Sequence, residues 1–384
     1  MISVNTECTA CTACAQACPR QAIKMLADEE GFVKPKVDVK ACIQCGKCDR
    51  VCPLQQKQYS KQLNKAYYLM HKSEDVLRKS SSGGAFYAIA RLILSQNGVV
   101  FGCVFDAASK RFIYKNTDQV PLEELMRSKY VESYIGDAFQ QVKEQLDRGR
   151  LVAFCGTPCH VAGLKSFLGK KIYENLCLLD FACGGVPSQD QLIRHMEWLE
   201  KKYKSRITSV NFRDKRYGWR QYCLTVTFEN GKEYSCIAEL DASLCTFLPT
   251  KTIKRESCAV CRFQEHHCAD FVIADFWKVK SFRDVPENIN LGISLVMCQT
   301  QKAQEMMLKL PDVEMGEILD IEAARYNFCN THLTKEQQVQ LISDRVYLRQ
   351  HGLRRYYLKR FGLKHVLKYS VKQILLKVKQ YGNS

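Results

Sequence analysis

The apolar positions of the middle of this chain fall into short runs separated by stretches of helical period. Gly98–Phe105, Leu151–Cys155, Leu176–Phe181 and Phe271–Ala274 read as buried strands, and Gly84–Gln96, Asp137–Arg148, Pro158–Leu168 and Gln189–Lys202 read as helices. Such alternation predicts an α/β region. Tyr222–Phe228 and Lys232–Cys236, joined by Glu229-Asn230-Gly231, predict a hairpin turned at Asn-Gly, so the sheet should be mixed. A polar linker over 55–65 precedes this region. After it, Leu363, Val366, Leu367, Val371, Ile374, Leu375 and Val378 recur at helical spacing, with most lysines off their arc. That pattern predicts an amphipathic helical tail.

Length and composition refine the picture. At 384 residues with 46% hydrophobic content, the chain can bury two or three domains. It holds 21 cysteines, and Met1-Ile2-Ser3-Val4-Asn5-Thr6-Glu7 lacks the basic and apolar regions of a secretory signal. The expected compartment is therefore reducing, hence cytoplasmic, and the cysteines are expected as metal ligands and buried thiols rather than disulfides. No run approaches the roughly 20 apolar residues that cross a bilayer. The net charge of +17 is concentrated at the end, where Arg345–Ser384 holds eleven Lys and Arg and no Asp or Glu. A basic amphipathic helix suits an anionic membrane surface, a partner protein or packing on its own domain. Nucleic acid is not expected, because no recognition module accompanies the charge.

The front of the chain carries the sharpest chemistry. Cys8, Cys11, Cys14 and Cys18, followed by Pro19, recur as Cys42, Cys45, Cys48 and Cys52, followed by Pro53. This is the bacterial ferredoxin run, in which three close thiolates hold one cluster and the fourth reaches the other. One 4Fe-4S cluster is thus expected on Cys8, Cys11, Cys14 and Cys52, and a second on Cys42, Cys45, Cys48 and Cys18. Disulfide scaffolds and zinc knuckles fit two matching quartets poorly. Gly31–Val37 reads as a short hairpin between them. The expected module spans 1–60.

Ser80-Ser81-Ser82-Gly83-Gly84 opens the first predicted helix of the middle region, placing hydroxyls and N–H groups at its positive end. Ordinary capping explains the same residues. Neither G-x-G-x-x-G after a strand nor G-x-x-x-x-G-K-[ST] occurs, so a nucleotide cofactor would bind outside the Rossmann and P-loop schemes.

Taken with Arg78-Lys79 before it and Ala85-Phe86 after it, this run, then Ser128-Lys129-Tyr130-Val131, Gly156-Thr157-Pro158-Cys159, Cys183-Gly184-Gly185-Val186-Pro187-Ser188, Asn211-Phe212-Arg213-Asp214-Lys215 and Cys258-Ala259-Val260-Cys261 through Asp275-Phe276-Trp277, closely resembles the coenzyme F-420 hydrogenase/dehydrogenase beta-subunit family. The resemblance spans about residues 1–300 and points to the branch with an N-terminal double-cluster ferredoxin module. It implies the module at 1–60 and a mixed-sheet flavin-binding domain in two parts at 61–150 and 151–330, which with the basic helical tail at 331–384, read from its own periodicity and charge, gives a multidomain α+β protein. It further implies FAD beside iron-sulfur clusters, with Ser81, Ser82, Gly83, Gly84, Lys129, Thr157, Pro158, Arg213 and Asp275 as flavin-site residues. A flavin converts two-electron chemistry to one-electron flow.

Cys159, Cys183, Cys258 and Cys261 sit inside matching motifs and are expected to bind a third 4Fe-4S cluster. A zinc site on Cys258 and Cys261, completed by Cys268, His266 or His267, and inert buried thiols are the alternatives. Cys103, Cys155, Cys177, Cys223, Cys236, Cys245, Cys298 and Cys329 read as core residues. The chain departs from its relatives with His160 for Gln, Gly184 for His and Ala274 for Gly; His160 reads as a satisfied structural histidine. The functional expectation is an oxidoreductase acting on a small organic substrate, in a branch that accompanies polysaccharide assembly, with reduced ferredoxin or another redox protein as partner. The alternative is an electron-transfer subunit without a substrate of its own.

Overall fold

The computed structural model describes residues 6–56, 65–248, 253–282, 285–286, 288–321 and 334–382. Most of the expected linker and Cys329 lie outside these residues. Two front strands, β1 (Ile23–Ala27) and β2 (Val33–Val37), pair antiparallel. The expected hairpin therefore needs a correction: Gly31–Val37 supplies the turn and one strand, and the other strand is the segment after Cys18.

An eight-stranded mixed sheet follows, built from β3 (Lys65–His71), β4 (Val99–Asp106), β5 (Arg111–Asn116), β6 (Val152–Cys155) and β7 (Leu176–Phe181). A three-stranded sheet is inserted next: β8 (Ile207–Asp214), β9 (Cys223–Phe228) and β10 (Glu233–Ile237). The large sheet is completed by β11 (Phe271–Asp275), β12 (Ser294–Cys298) and β13 (Val313–Ile318), giving the order β13-β3-β12-β11-β7-β6-β4-β5. Strands β4, β6, β7 and β11 run parallel at its centre, and antiparallel strands flank them. Parallel strands need crossovers, which the helices Ala138–Asp147 and Pro158–Leu168 supply on either side of β6.

The two faces of this sheet follow from strand alternation. Val100, Ala153, Cys177 and Leu179 point to one face, where helix Ala85–Ser95 packs, while Val99, Phe101, Val152, Phe154, Leu176 and Leu178 point to the other. Both faces are covered, which is why these strands read as continuous apolar runs. The second face is shared with the front module: Cys11 and Ala13 belong to the same buried cluster as Val161 and Leu164. Gly163 makes that approach feasible, since a Cβ there would lie 2.8 Å from Cys11 Cβ. The expected Asn-Gly turn joins β9 to β10, with Gly231 at φ +75.

The tail, Lys335–Gly382, is helical with breaks at Gly352 and Gly362, whose φ values of 77 and 76 leave the helical range. Among the described residues no helix is long and apolar enough to cross a membrane.

Candidate iron-sulfur sites and their surroundings

The two front quartets share one backbone design. Ala10 and Gln44, before the second cysteine of each, have φ of 56 and 55, and Thr12 and Gly46, after it, have φ of 68 and 67. These left-handed residues curl the chain around its sulfurs before a short helix delivers the third cysteine. The last cysteines, Cys18 and Cys52, adopt near-identical extended conformations. The structure brings Cys8, Cys11, Cys14 and Cys52 around one cavity and Cys18, Cys42, Cys45 and Cys48 around another. Burial pushes the Cys14 thiol up to about 12, so a thiolate there requires adjacent positive charge, as iron supplies.

Cys159, Cys183, Cys258 and Cys261 line a third cavity. Cys159 comes from the first turn of helix Pro158–Leu168, Cys183 from the chain leaving β7, Cys258 from the short 3-10 turn Glu256–Val260, and Cys261 from the extended residue between that turn and the next, Arg262–Gln264. Burial raises all four thiols, Cys159 to about 11, and nearby thiols raise Cys159, Cys183 and Cys261 further. Gly185 holds φ +97 here, and a Cβ on it would lie 2.8 Å from Lys254 Cδ and 3.0 Å from Cys258 Cβ. Among the described residues no three His, Cys, Asp or Glu side chains converge closely enough for a single metal ion. The four sulfurs line one void between these elements. None of Cys268, His266 and His267 lines the cavity; His267 Nδ1 lies 2.8 Å from Asp180, and Cys268 is buried in the core.

The first and third cavities adjoin. Thr9 lines both, and Cys11 lies near enough to Cys159 for their charges to interact. Arg255 also lines the third cavity, in a buried pair with Glu132, and is near enough to Cys8 to feel its charge. A buried pair broken on one side leaves an uncompensated charge. Glu132→Ala is therefore expected to lower unfolding free energy by about 3–5 kcal/mol, read from the denaturant midpoint, with Glu132→Gln intermediate. An unchanged midpoint would mean Arg255 is not held by this carboxylate. His160 is pushed down to about 3, first by burial and then by Arg255, so it is neutral at neutral pH; its Nδ1 lies 3.4 Å from the Tyr114 hydroxyl.

The residues expected around a flavin fall into three places. Ser81, Ser82, Gly83, Arg213 and Asp275 come together. Arg213 bonds both oxygens of Asp275 at 2.9 and 3.1 Å and the Ser81 carbonyl at 3.1 Å. Ser81 Oγ accepts from Ser128 N at 2.7 Å, Ser82 Oγ donates to Ile293 O at 2.6 Å, and Gly83 N donates to Ser294 Oγ at 3.0 Å. Gly84, at φ +87, starts helix Ala85–Ser95. Much of the hydrogen-bonding capacity expected for an anion is thus spent inside the protein. Lys129 sits elsewhere, its Nζ donating to the carbonyls of Glu124, Leu125 and Met126, and burial lowers its pKa to about 8. Thr157 and Pro158 line the third cysteine cavity.

One irregular segment joins these places. Ser128 meets Ser81, Tyr130 accepts from Arg213 at 3.0 Å, and Glu132 and Ser133 line the cysteine cavity. Around Arg213 the structure adds an aromatic cluster that motif reading did not single out. Its guanidinium lies 4.1 Å from the Tyr222 ring, and Trp219 stacks on Trp277 at 4.6 Å. Trp219 Nε1 also donates to Asp275 at 2.7 Å. Lys215 is buried beside them, lowered to about 7 by burial and then by Arg213, and donates to Ser82 O at 2.9 Å. Lys215 and Trp277 stood within quoted motifs; Trp219 carried no signal of its own.

The two cysteine-lined cavities of a front module docked on an α/β body point to an iron-sulfur protein of the electron-transfer and oxidoreductase class. Residues 7–55 match a 4Fe-4S dicluster domain, and residues 149–323 match the C terminus of the beta subunit of coenzyme F420 hydrogenase/dehydrogenase. The chain therefore joins a stretch similar to a 4Fe-4S dicluster domain to one similar to the C terminus of the F420 hydrogenase/dehydrogenase beta subunit. A solved structure with which it aligns is the xenon-derivatised F420-reducing NiFe hydrogenase complex from Methanosarcina barkeri, at 14% identity over 75% of this chain and 92% of that one, with a TM-score of 0.47. No curated protein matches it.

Proposed function

We propose that the chain is a cytoplasmic iron-sulfur flavoprotein that passes electrons along three 4Fe-4S clusters to or from FAD, where a small organic substrate is oxidised or reduced. The observation that carries this reading is the adjacency of the cysteine cavities, with Thr9 on the wall between the first and third. Cys8, Cys11, Cys14 and Cys52 would hold the inner ferredoxin cluster, Cys42, Cys45, Cys48 and Cys18 the outer one, and Cys159, Cys183, Cys258 and Cys261 the third. Cys45 is exposed, as are Val39 and Ile43, so the outer cluster lies where a redox partner such as reduced ferredoxin can dock.

For FAD the fit is to the surroundings more than to free donors. Ser81–Gly84, Arg213 and Asp275 would form its wall, with Lys129 farther along the 128–133 segment and Thr157 and Pro158 on the cluster side. Arg213 Nε is buried without a hydrogen-bond partner, the kind of donor that a ligand satisfies. When bound, the flavin would couple a two-electron substrate to one-electron carriers. The residues' own task would be to fix the Arg213–Asp275 geometry and exclude water with Trp219 and Trp277. A sugar-linked substrate is the class implied by the family branch.

The test is an anaerobic preparation of the full chain. It is expected to release stoichiometric FAD on denaturation and, once reduced by dithionite, to pass electrons to a small organic acceptor without a second protein. Iron without flavin would overturn the flavoprotein reading and leave an electron-transfer subunit.

A further inference from the structure

The last helical segment of the tail is inverted relative to an ordinary surface helix. Its inner face meets β10 and the following turn through polar groups: His365 Nε2 lies 2.8 Å from Glu239 O, Lys372 pairs with Glu239 at 2.9 Å, and Gln373 bonds Ser235 O at 3.1 Å. Most of its apolar residues point outward, Val366 and Leu376 being half-buried. Leu363, Leu367, Val371, Ile374, Leu375 and Val378 form one stripe, with Leu363 72% and Val378 63% exposed. The sequence pattern predicts an arc of these residues with Val366, and the structure turns all of it but Val366 away from the protein. Lys364, Lys368 and Lys379 are exposed along one border of the stripe and Lys377 along the other. The segment is about 30 Å long at about 1.5 Å per residue.

Water-facing apolar stripes of this length mark interaction surfaces. The charge decides between occupants. A second copy packed on the stripe would bring one lysine border against another, with no Asp or Glu between Arg345 and Ser384 to relieve it. An anionic bilayer offers apolar depth for the stripe and negative headgroups for both lysine borders.

We propose that the segment after Gly362 lies in the interface of an anionic membrane, anchoring the protein peripherally, with its apolar stripe in the acyl boundary and its lysines at the headgroups. This does not depend on the cofactor reading. Gly352 and Gly362 sit at the joints between helical segments, so the docking segment has its own axis.

The test is flotation of the full-length protein with vesicles of phosphatidylcholine and phosphatidylserine, and with phosphatidylcholine alone. Binding is expected to the anionic vesicles, to weaken at high salt, and to fall by at least about tenfold in Lys364→Glu/Lys368→Glu, each charge near the surface contributing on the order of 1 kcal/mol. Leu367→Ser/Ile374→Ser, both at exposed positions, should abolish binding while circular dichroism stays that of the parent. Failure to float with anionic vesicles overturns the proposal, whether the chain is then monomeric or self-associates. So does equal binding to neutral vesicles, or binding that survives Leu367→Ser/Ile374→Ser.

Discussion

Gly83→Ala is expected to unfold the central sheet or to cost more than about 4 kcal/mol, the range reached only by severe steric or burial defects. A Cβ at this position would lie 2.1 Å from Leu69 O and 2.5 Å from Ser294 N. Both are backbone atoms of paired strands, β3 and β12, so neither can retreat without breaking the ladder between them. Gly83 also accepts from His71 N at 2.8 Å. The control is Gly149→Ala, where φ is +78 but a Cβ would meet nothing within 4 Å, and a loss of only about 1–2 kcal/mol is expected. Urea denaturation of the two variants decides it: equal midpoints would mean that the Ser-Ser-Gly-Gly turn is not wedged into the sheet.

The second large effect separates the crossed cysteines. Although Cys52 follows Cys48 in sequence, it lines the cavity of Cys8, Cys11 and Cys14. Cys52→Ser is expected to remove about four irons per chain and, because that cavity adjoins the third, to interrupt electron flow between the outer cluster and the interior. Cys18→Ser should remove a similar amount of iron but spare the inner cluster, leaving its electron paramagnetic resonance signal and its exchange with the third cluster. Loss of the same signal in both variants would contradict the crossed arrangement.

Legibility in the sequence follows local chemistry. Helix Pro158–Leu168 and strand β7 were readable to the residue, because Pro158 marks a first turn and Leu176–Phe181 is a continuous apolar run. Strands β5, β8, β12 and β13 were not read. β3 was missed because it borders the polar linker; its partners are β12 and β13, more than 200 residues away. The front ligand groups were readable since eight cysteines carry their own spacing. The Arg255–Glu132 pair was not, since it joins two segments distant in sequence. At the Ser81–Gly84 turn the sequence displays donors but not the partners they meet in the fold. A run that reads as an anion cradle is largely occupied with holding Ser128, Ile293, Ser294 and Arg213, interactions that appear only once the chain is folded.

The claim on which the account rests is a contiguous row of three clusters in one chain. Its most direct test is the iron and acid-labile sulfide content of the full-length protein purified without oxygen, with Mössbauer spectra to assign cluster type. The account predicts about twelve irons and twelve sulfides per chain, all in 4Fe-4S clusters. About eight of each, or zinc at the Cys159, Cys183, Cys258 and Cys261 cavity, would contradict it.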